Sequence, residues 1–272
     1  MIQSVKWSIN NRCNLHCPFC FADEYFTENS LEDKFKIIDK LYSDGIPHID
    51  FFGKEPLLDD TIFKLCEYIE EKYSILMSTS LITNGVNLKE YSEDIIKHYS
   101  IIEVTVSYDL GVTRQFAVDL SDLKYLKDNE VLTEITIDLQ KDNVDKIKNF
   151  EWETFANTLY INPIYSKSGN YTLTKSEFED FLKTYEGNDR VTVRIPFEYG
   201  NIVIPDHKYK LHQDTKCSAG REHLFIASDG KCYGCNMCAF NHKEEYSCDY
   251  LSTSLEDIQK ICSSRSNERC CV

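Results

Sequence analysis

The chain has 272 residues, with 45 Asp and Glu against 30 Lys and Arg, for a formal net charge of −15. Its 42% hydrophobic and 28% charged residues allow a sizeable core and exclude a disordered chain. No apolar run approaches the ~18 residues of a membrane span, the start lacks the basic and apolar regions of a secretion signal, and the acidity disfavours a nucleic-acid partner. A cytoplasmic location is therefore expected.

The predicted elements alternate. Residues 4–10 read as a strand, and 30–43 as a helix with Ser30 as N-cap and Gly45 as stop. A strand over 48–52 ends at Gly53. Then follow a helix over 59–73, a strand over 75–83, a helix over 88–99 and a strand over 101–109. Further on come a helix at 121–128, a strand at 132–139, a helix at 143–155, a strand at 158–164 and a helix at 174–185. About six strand–helix units imply a parallel sheet with helices outside, either a partial barrel or an open doubly wound sheet. The alternation stops near 187, so the expected units are 1–187 and 188–272. In the second, Asp229-Gly230 is a hairpin turn signal.

Twelve cysteines without a secretion signal need work other than disulfides. Three lie within 13–20 and eight within 217–271; Cys66 sits alone on an apolar helix face and reads as core. Cys13, Cys17 and Cys20 are spaced C-x3-C-x2-C directly after the first strand, where α/β folds place their ligands. Three thiolates can hold three irons of a [4Fe–4S] cluster and leave one open; zinc is the competing reading.

With Phe19 as its aromatic, this motif resembles that of the radical S-adenosylmethionine (SAM) superfamily. The later strand ends agree. Gly53-Lys54-Glu55-Pro56 is similar to the family's Gly-Gly-Glu-Pro, whose backbone meets the amino group of SAM, with Lys54 as a departure. Asn84 lies in the Thr-Asn-Gly ending of the third strand, Ser107 near the end of the fourth, and Thr136 on the fifth falls about where a ribose contact belongs. The resemblance implies a partial (β/α)6 TIM-like barrel that binds SAM and a [4Fe–4S] cluster at Cys13, Cys17 and Cys20. It also implies an electron donor of ferredoxin or flavodoxin type. The implied chemistry is reductive cleavage of SAM to a 5′-deoxyadenosyl radical that abstracts hydrogen from a substrate.

The C-terminal segment carries C-x12-G-x4-C from Cys217 through Gly230 to Cys235, and resembles the auxiliary-cluster domain of the SPASM/twitch subfamily. That resemblance implies at least one auxiliary [4Fe–4S] cluster on Cys217, Cys235, Cys238 and Cys248, with Cys232 able to replace one of them. The full SPASM spacing fails after Cys238, and a structural zinc site is the alternative. Cys262, Cys270 and Cys271 are candidate hydrogen donors. Members of this subfamily mostly modify peptides, so the expected activity is crosslinking (thioether or C–C) of a ribosomally made precursor peptide. The acidity of the first 200 residues, net −14, suits a basic one. The chain begins at its first strand, so leader binding is expected from the barrel, the auxiliary domain or a separate protein. The alternatives are a peptide epimerase using a Cys donor, a twitch-type small-molecule dehydrogenase, and a metal-binding scaffold that is not an enzyme.

Overall fold

A computed structural model describes residues 2–18, 20, 22, 26–110, 118–164, 171–213 and 218–263. Six strands alternate with helices along the first part of the chain. They are β1 (Ser4–Trp7), β2 (His48–Phe51), β3 (Ser78–Thr83), β4 (Ile101–Tyr108), β5 (Leu132–Leu139) and β6 (Thr158–Pro163). The helices are α1 (Leu31–Ser43), α2 (Ile62–Tyr73), α3 (Leu88–Lys97), α4 (Ser121–Asp128), α5 (Val144–Lys148) and α6 (Lys175–Thr184). Each strand from β1 to β6 pairs in parallel with the next. This is the expected α/β architecture with an open, barrel-like parallel sheet.

Alternation builds the sheet. On β5, Ile135, Ile137 and Leu139 are buried while Glu134, Thr136 and Asp138 on the other face are half-buried. The aliphatic faces of β4, β5 and β6 share one core with α2, α3, α4 and α6. The opposite face of β5 is polar. α1 starts where the Ser30 hydroxyl accepts a hydrogen bond from Asp33 N–H at 3.1 Å. α6 starts on a reciprocal Thr174–Glu177 capping box.

Several boundaries differ from expectation: the strand expected over 4–10 ends at Trp7, and the helix expected from 59 begins at Ile62. The helix expected over 143–155 ends at Lys148, where Asn149 caps it and bonds back to the Asp145 carbonyl; a separate 3-10 turn then buries Trp152. The strand expected from 75 begins at Ser78. Ser74, at φ 53°, stops α2, and Ile75 and Leu76 form an exposed turn.

The parallel sheet continues past residue 187. β7 (Val191–Ile195) pairs with β6, and β8 (Lys210–Gln213) with β7. The remaining elements are β9 (His223–Ile226), β10 (Lys231–Tyr233), α7 (Asn236–Phe240), β11 (Ser247–Asp249) and α8 (Leu255–Ser263). β9 and β10 form the expected hairpin, turning at Gly230 with φ 86°. β9 lies parallel to β1, so the hairpin extends the sheet into the order β11-β10-β9-β1-β2-β3-β4-β5-β6-β7-β8. Among the described residues no helix is long and apolar enough to cross a membrane.

Candidate active site

The loop after β1 is fastened at its neck. Asn10 is buried; its side chain accepts from Arg12 N–H at 2.7 Å and donates to the Glu55 carbonyl at 2.9 Å. Asn11 donates to the Phe26 carbonyl at 2.6 Å, and Glu28 accepts from Asn11 N–H and from the Arg12 guanidinium. The cysteine-bearing loop between them leaves from the carboxyl end of β1. Cys13 and Cys17 are half-buried and Cys20 is exposed, all as free thiols. Cys20 N–H donates to the Cys17 carbonyl at 3.0 Å, closing a turn. The Cys13 sulfur accepts from Leu15 N–H at 3.4 Å and from the Asn84 amide at 3.8 Å. Burial pushes the Cys13 thiol up; the Leu15 N–H opposes this, and nearby Glu55 and Cys20 add to the rise. Phe19 lies outside the described residues.

Glu55 locks this loop to the sheet. It is fully buried; its N–H donates to the Arg12 carbonyl at 2.9 Å. One carboxylate oxygen accepts from Leu57 N–H at 3.0 Å and from the Thr83 hydroxyl at 2.7 Å, and the other accepts from Asn84 N–H at 2.7 Å. Its side chain therefore clamps the ends of β2 and β3. Gly53 sits at φ 104°, where an added Cβ would stand 2.3 Å from the Ser8 hydroxyl. Lys54 is not among the residues with positive φ, so the side chain in place of glycine brings no backbone strain. Pro56 opens the 3-10 turn that follows.

Asn84 is nearly buried and serves the same loop. Its amide donates to the Asn14 side chain at 2.7 Å, and Asn14 in turn donates to the Asn87 side chain at 2.7 Å. Asn10, Asn14 and Asn87 were missed by the motif reading, although Asn10 and Asn14 flank Cys13 within four residues. Ser107 and Thr136 stand opposite each other on β4 and β5. They belong to the polar face of the sheet, which continues through Asp138, Asn162 and Arg194. Asn162 links the other two, donating to Asp138 at 3.4 Å and accepting from Arg194 at 3.0 Å.

The C-terminal cysteines divide between two faces of the hairpin sheet. Cys235 and Cys238 stand 3.8 Å apart at their sulfurs, beside Phe225, Tyr233 and Phe240. The same cluster holds Ala22 and Phe26 from the cysteine-bearing loop and Phe52 from the end of β2. Phe52 meets Phe225 edge-on at 6.3 Å, and Phe26 meets Tyr233 likewise at 6.2 Å. Cys232 and Cys248 face each other across β10 and β11 and join the main core instead. Cys262 from α8 packs there too, with its sulfur 3.7 Å from the Cys232 carbonyl. Contact with Cys262 pushes the Cys248 thiol up, with burial adding to it.

The expected ligand set is thus not brought together: Cys248 and Cys232 lie on the face away from Cys235 and Cys238. Cys262 is only 3% exposed in that core. Cys217, Cys270 and Cys271 lie outside the described residues. Cys66 is buried in the core as expected, and burial pushes its thiol up to about 12.

Comparison with known proteins agrees with this geometry. The chain is 24% identical over 276 residues to the radical SAM cyclopropyl synthase TigE of Paramaledivibacter caminithermalis, covering 86% of this chain and 57% of that protein. It is 24% identical over 283 residues to the GTP 3′,8-cyclase of Staphylococcus epidermidis, covering 86% of this chain and 78% of that enzyme. Its fold resembles that of Streptococcus suis SuiB bound to S-adenosylmethionine, with a TM-score of 0.72 at 14% identity, over 99% of this chain and 68% of SuiB. The Radical SAM superfamily profile matches residues 7–161, which hold the three-cysteine loop, the Glu55 clamp and the polar ends of β4 and β5; the chain belongs to that superfamily and is a radical SAM enzyme.

Proposed function

We propose that this enzyme is a peptide maturase that forms an intrapeptide crosslink, thioether or carbon–carbon, in a ribosomally made precursor. The observation that carries the reading is the placing of Cys235 and Cys238. They pack, through Phe26, Phe52, Phe225 and Tyr233, against the same loop that carries Cys13, Cys17 and Cys20. A crosslink removes two hydrogens from the peptide, and an acceptor beside the primary site suits that oxidation. SuiB, whose fold this chain shares, has been solved bound to its precursor peptide SuiA.

Cys13, Cys17 and Cys20 are suited to hold a [4Fe–4S] cluster: three free thiols on one loop, one of them given two hydrogen bonds that favour the thiolate. Bound there with SAM, the cluster supplies the electron that generates the hydrogen-abstracting radical. Cys235, Cys238 and Cys217 are proposed for an auxiliary cluster in the unit 188–272. Ser107 and Thr136 are proposed to meet S-adenosylmethionine, and Asp138, Asn162 and Arg194 further along the same face to orient the substrate. A ferredoxin or flavodoxin type protein is the proposed donor, a leader-binding protein a proposed partner, and the cytoplasm the proposed location.

Co-expression with any short peptide encoded beside its gene tests the reading by mass spectrometry. The expected product is about 2 Da lighter per bond, for two hydrogens lost in a cofactor-driven oxidation. A product made in deuterated water about 1 Da heavier would replace crosslinking by epimerisation, because a donor thiol exchanges its proton with solvent. SAM cleavage with GTP as the only substrate consumed would replace both by nucleotide chemistry.

A further inference from the structure

The motif of the β2 end contains one residue whose charge the fold leaves unanswered. Lys54 is half-buried, and among the described residues it makes no hydrogen bond or ion pair. Its neighbours are fixed: Gly53 is pressed against Ser8, and Glu55 N–H holds the Arg12 carbonyl, one residue before Cys13. Glu55 makes no ion pair with the lysine; its two oxygens accept from Leu57, Thr83 and Asn84 inside the fold. The other cations near this loop are engaged. Arg12 pairs with Glu28, and the Lys6 ammonium lies 5.1 Å from the Phe52 ring centre.

An ammonium without a partner on the protein is left to attract an anion. S-adenosylmethionine carries two positive groups, the sulfonium and the amino group, and a single negative one, its carboxylate. A lysine beside the site repels the first two and attracts the third. We propose that Lys54 is a positioning residue for the carboxylate of S-adenosylmethionine. It is a contact that this chain adds where glycine offers no side chain. The inference rests on membership of the superfamily and not on a peptide substrate.

The test compares S-adenosylmethionine with its decarboxylated form, S-adenosyl-3-methylthiopropylamine. Affinities are measured by titration calorimetry on anaerobic, cluster-reconstituted wild-type, Lys54→Met and Lys54→Arg enzyme. If Lys54 meets the carboxylate, Lys54→Met weakens S-adenosylmethionine about tenfold and the decarboxylated form less than about twofold, while Lys54→Arg stays near wild type. An unchanged affinity for S-adenosylmethionine in Lys54→Met, or an equal loss for both ligands, overturns the proposal. Should Lys54→Met fail to fold, Lys54→Gln takes its place with the same two outcomes. A crosslinked product with no such ligand difference would sink this inference and leave the proposed function standing.

Discussion

Glu55 is the residue on which the site's geometry converges. Its carboxylate accepts three hydrogen bonds while fully buried, and its backbone holds both Asn10 and Arg12. Replacing it with alanine strands three buried donors, each costing about 1–3 kcal/mol, so Glu55→Ala should lose about 3–5 kcal/mol of stability. Glu55→Gln, which keeps one oxygen acceptor, should lose less. Thermal midpoints of the two variants check this, and equal midpoints for alanine and wild type would refute the clamp. The motif showed that a glutamate belongs here, but not that its side chain is spent inside the fold. Its partners Thr83 and Asn84 lie 28 and 29 positions away, a pairing that only the β2–β3 register creates. Gly53 was legible in kind, since a strand end at a crowded site suits glycine. The reason, a Cβ blocked by Ser8 of β1, needed the third dimension.

At the level of elements, alternation found the strands because their two faces differ in polarity, and Ser30 was legible as the N-cap of α1. It failed where a short polar stretch such as Asn149 interrupts a helical pattern, because side-chain bonding to nearby backbone competes with the helix there. It also could not show that the polar faces of β4 and β5 bring acids together. Glu134 stands opposite Thr105 on β4, two residues from Glu103. Burial, then the charge of Glu103, pushes its carboxyl up to about 7. The folded state therefore binds a proton that the unfolded chain releases between about pH 4.5 and pH 7. That proton stabilises the fold below this window, and its contribution is lost as pH rises through about 7. The thermal midpoint of the apoprotein should thus fall over that range through this group, and Glu134→Gln should flatten that part of the slope. A wild-type slope unchanged in the variant would show that Glu134 titrates normally.

For the whole molecule, the pairing of β9 with β1 matters most. It sets the hairpin against the first strand, across more than 200 residues of sequence, and so carries Cys235 and Cys238 to Phe26 and Phe52. Spacing along the chain could suggest that these cysteines form a site. It could not show that Cys232 and Cys248 turn to the other side, since the face that a strand residue takes is fixed only once the strand's register is known. The division of the cysteines between two faces makes a count of iron and sulfide decisive. Wild type purified without oxygen and reconstituted should carry about eight of each, as two four-iron clusters require. Replacing Cys13, Cys17 and Cys20 together by alanine should leave about four, and replacing Cys235 and Cys238 should also leave about four. Replacing Cys232 and Cys262, buried in the core, should leave all eight and lower only the thermal midpoint, as lost packing does. Iron falling with Cys232 and Cys262 instead would move the auxiliary cluster to the other face of the hairpin and away from the loop of Cys13. The argument for an electron acceptor beside the primary site, and with it the preference for crosslinking over redox-neutral chemistry, would then fail.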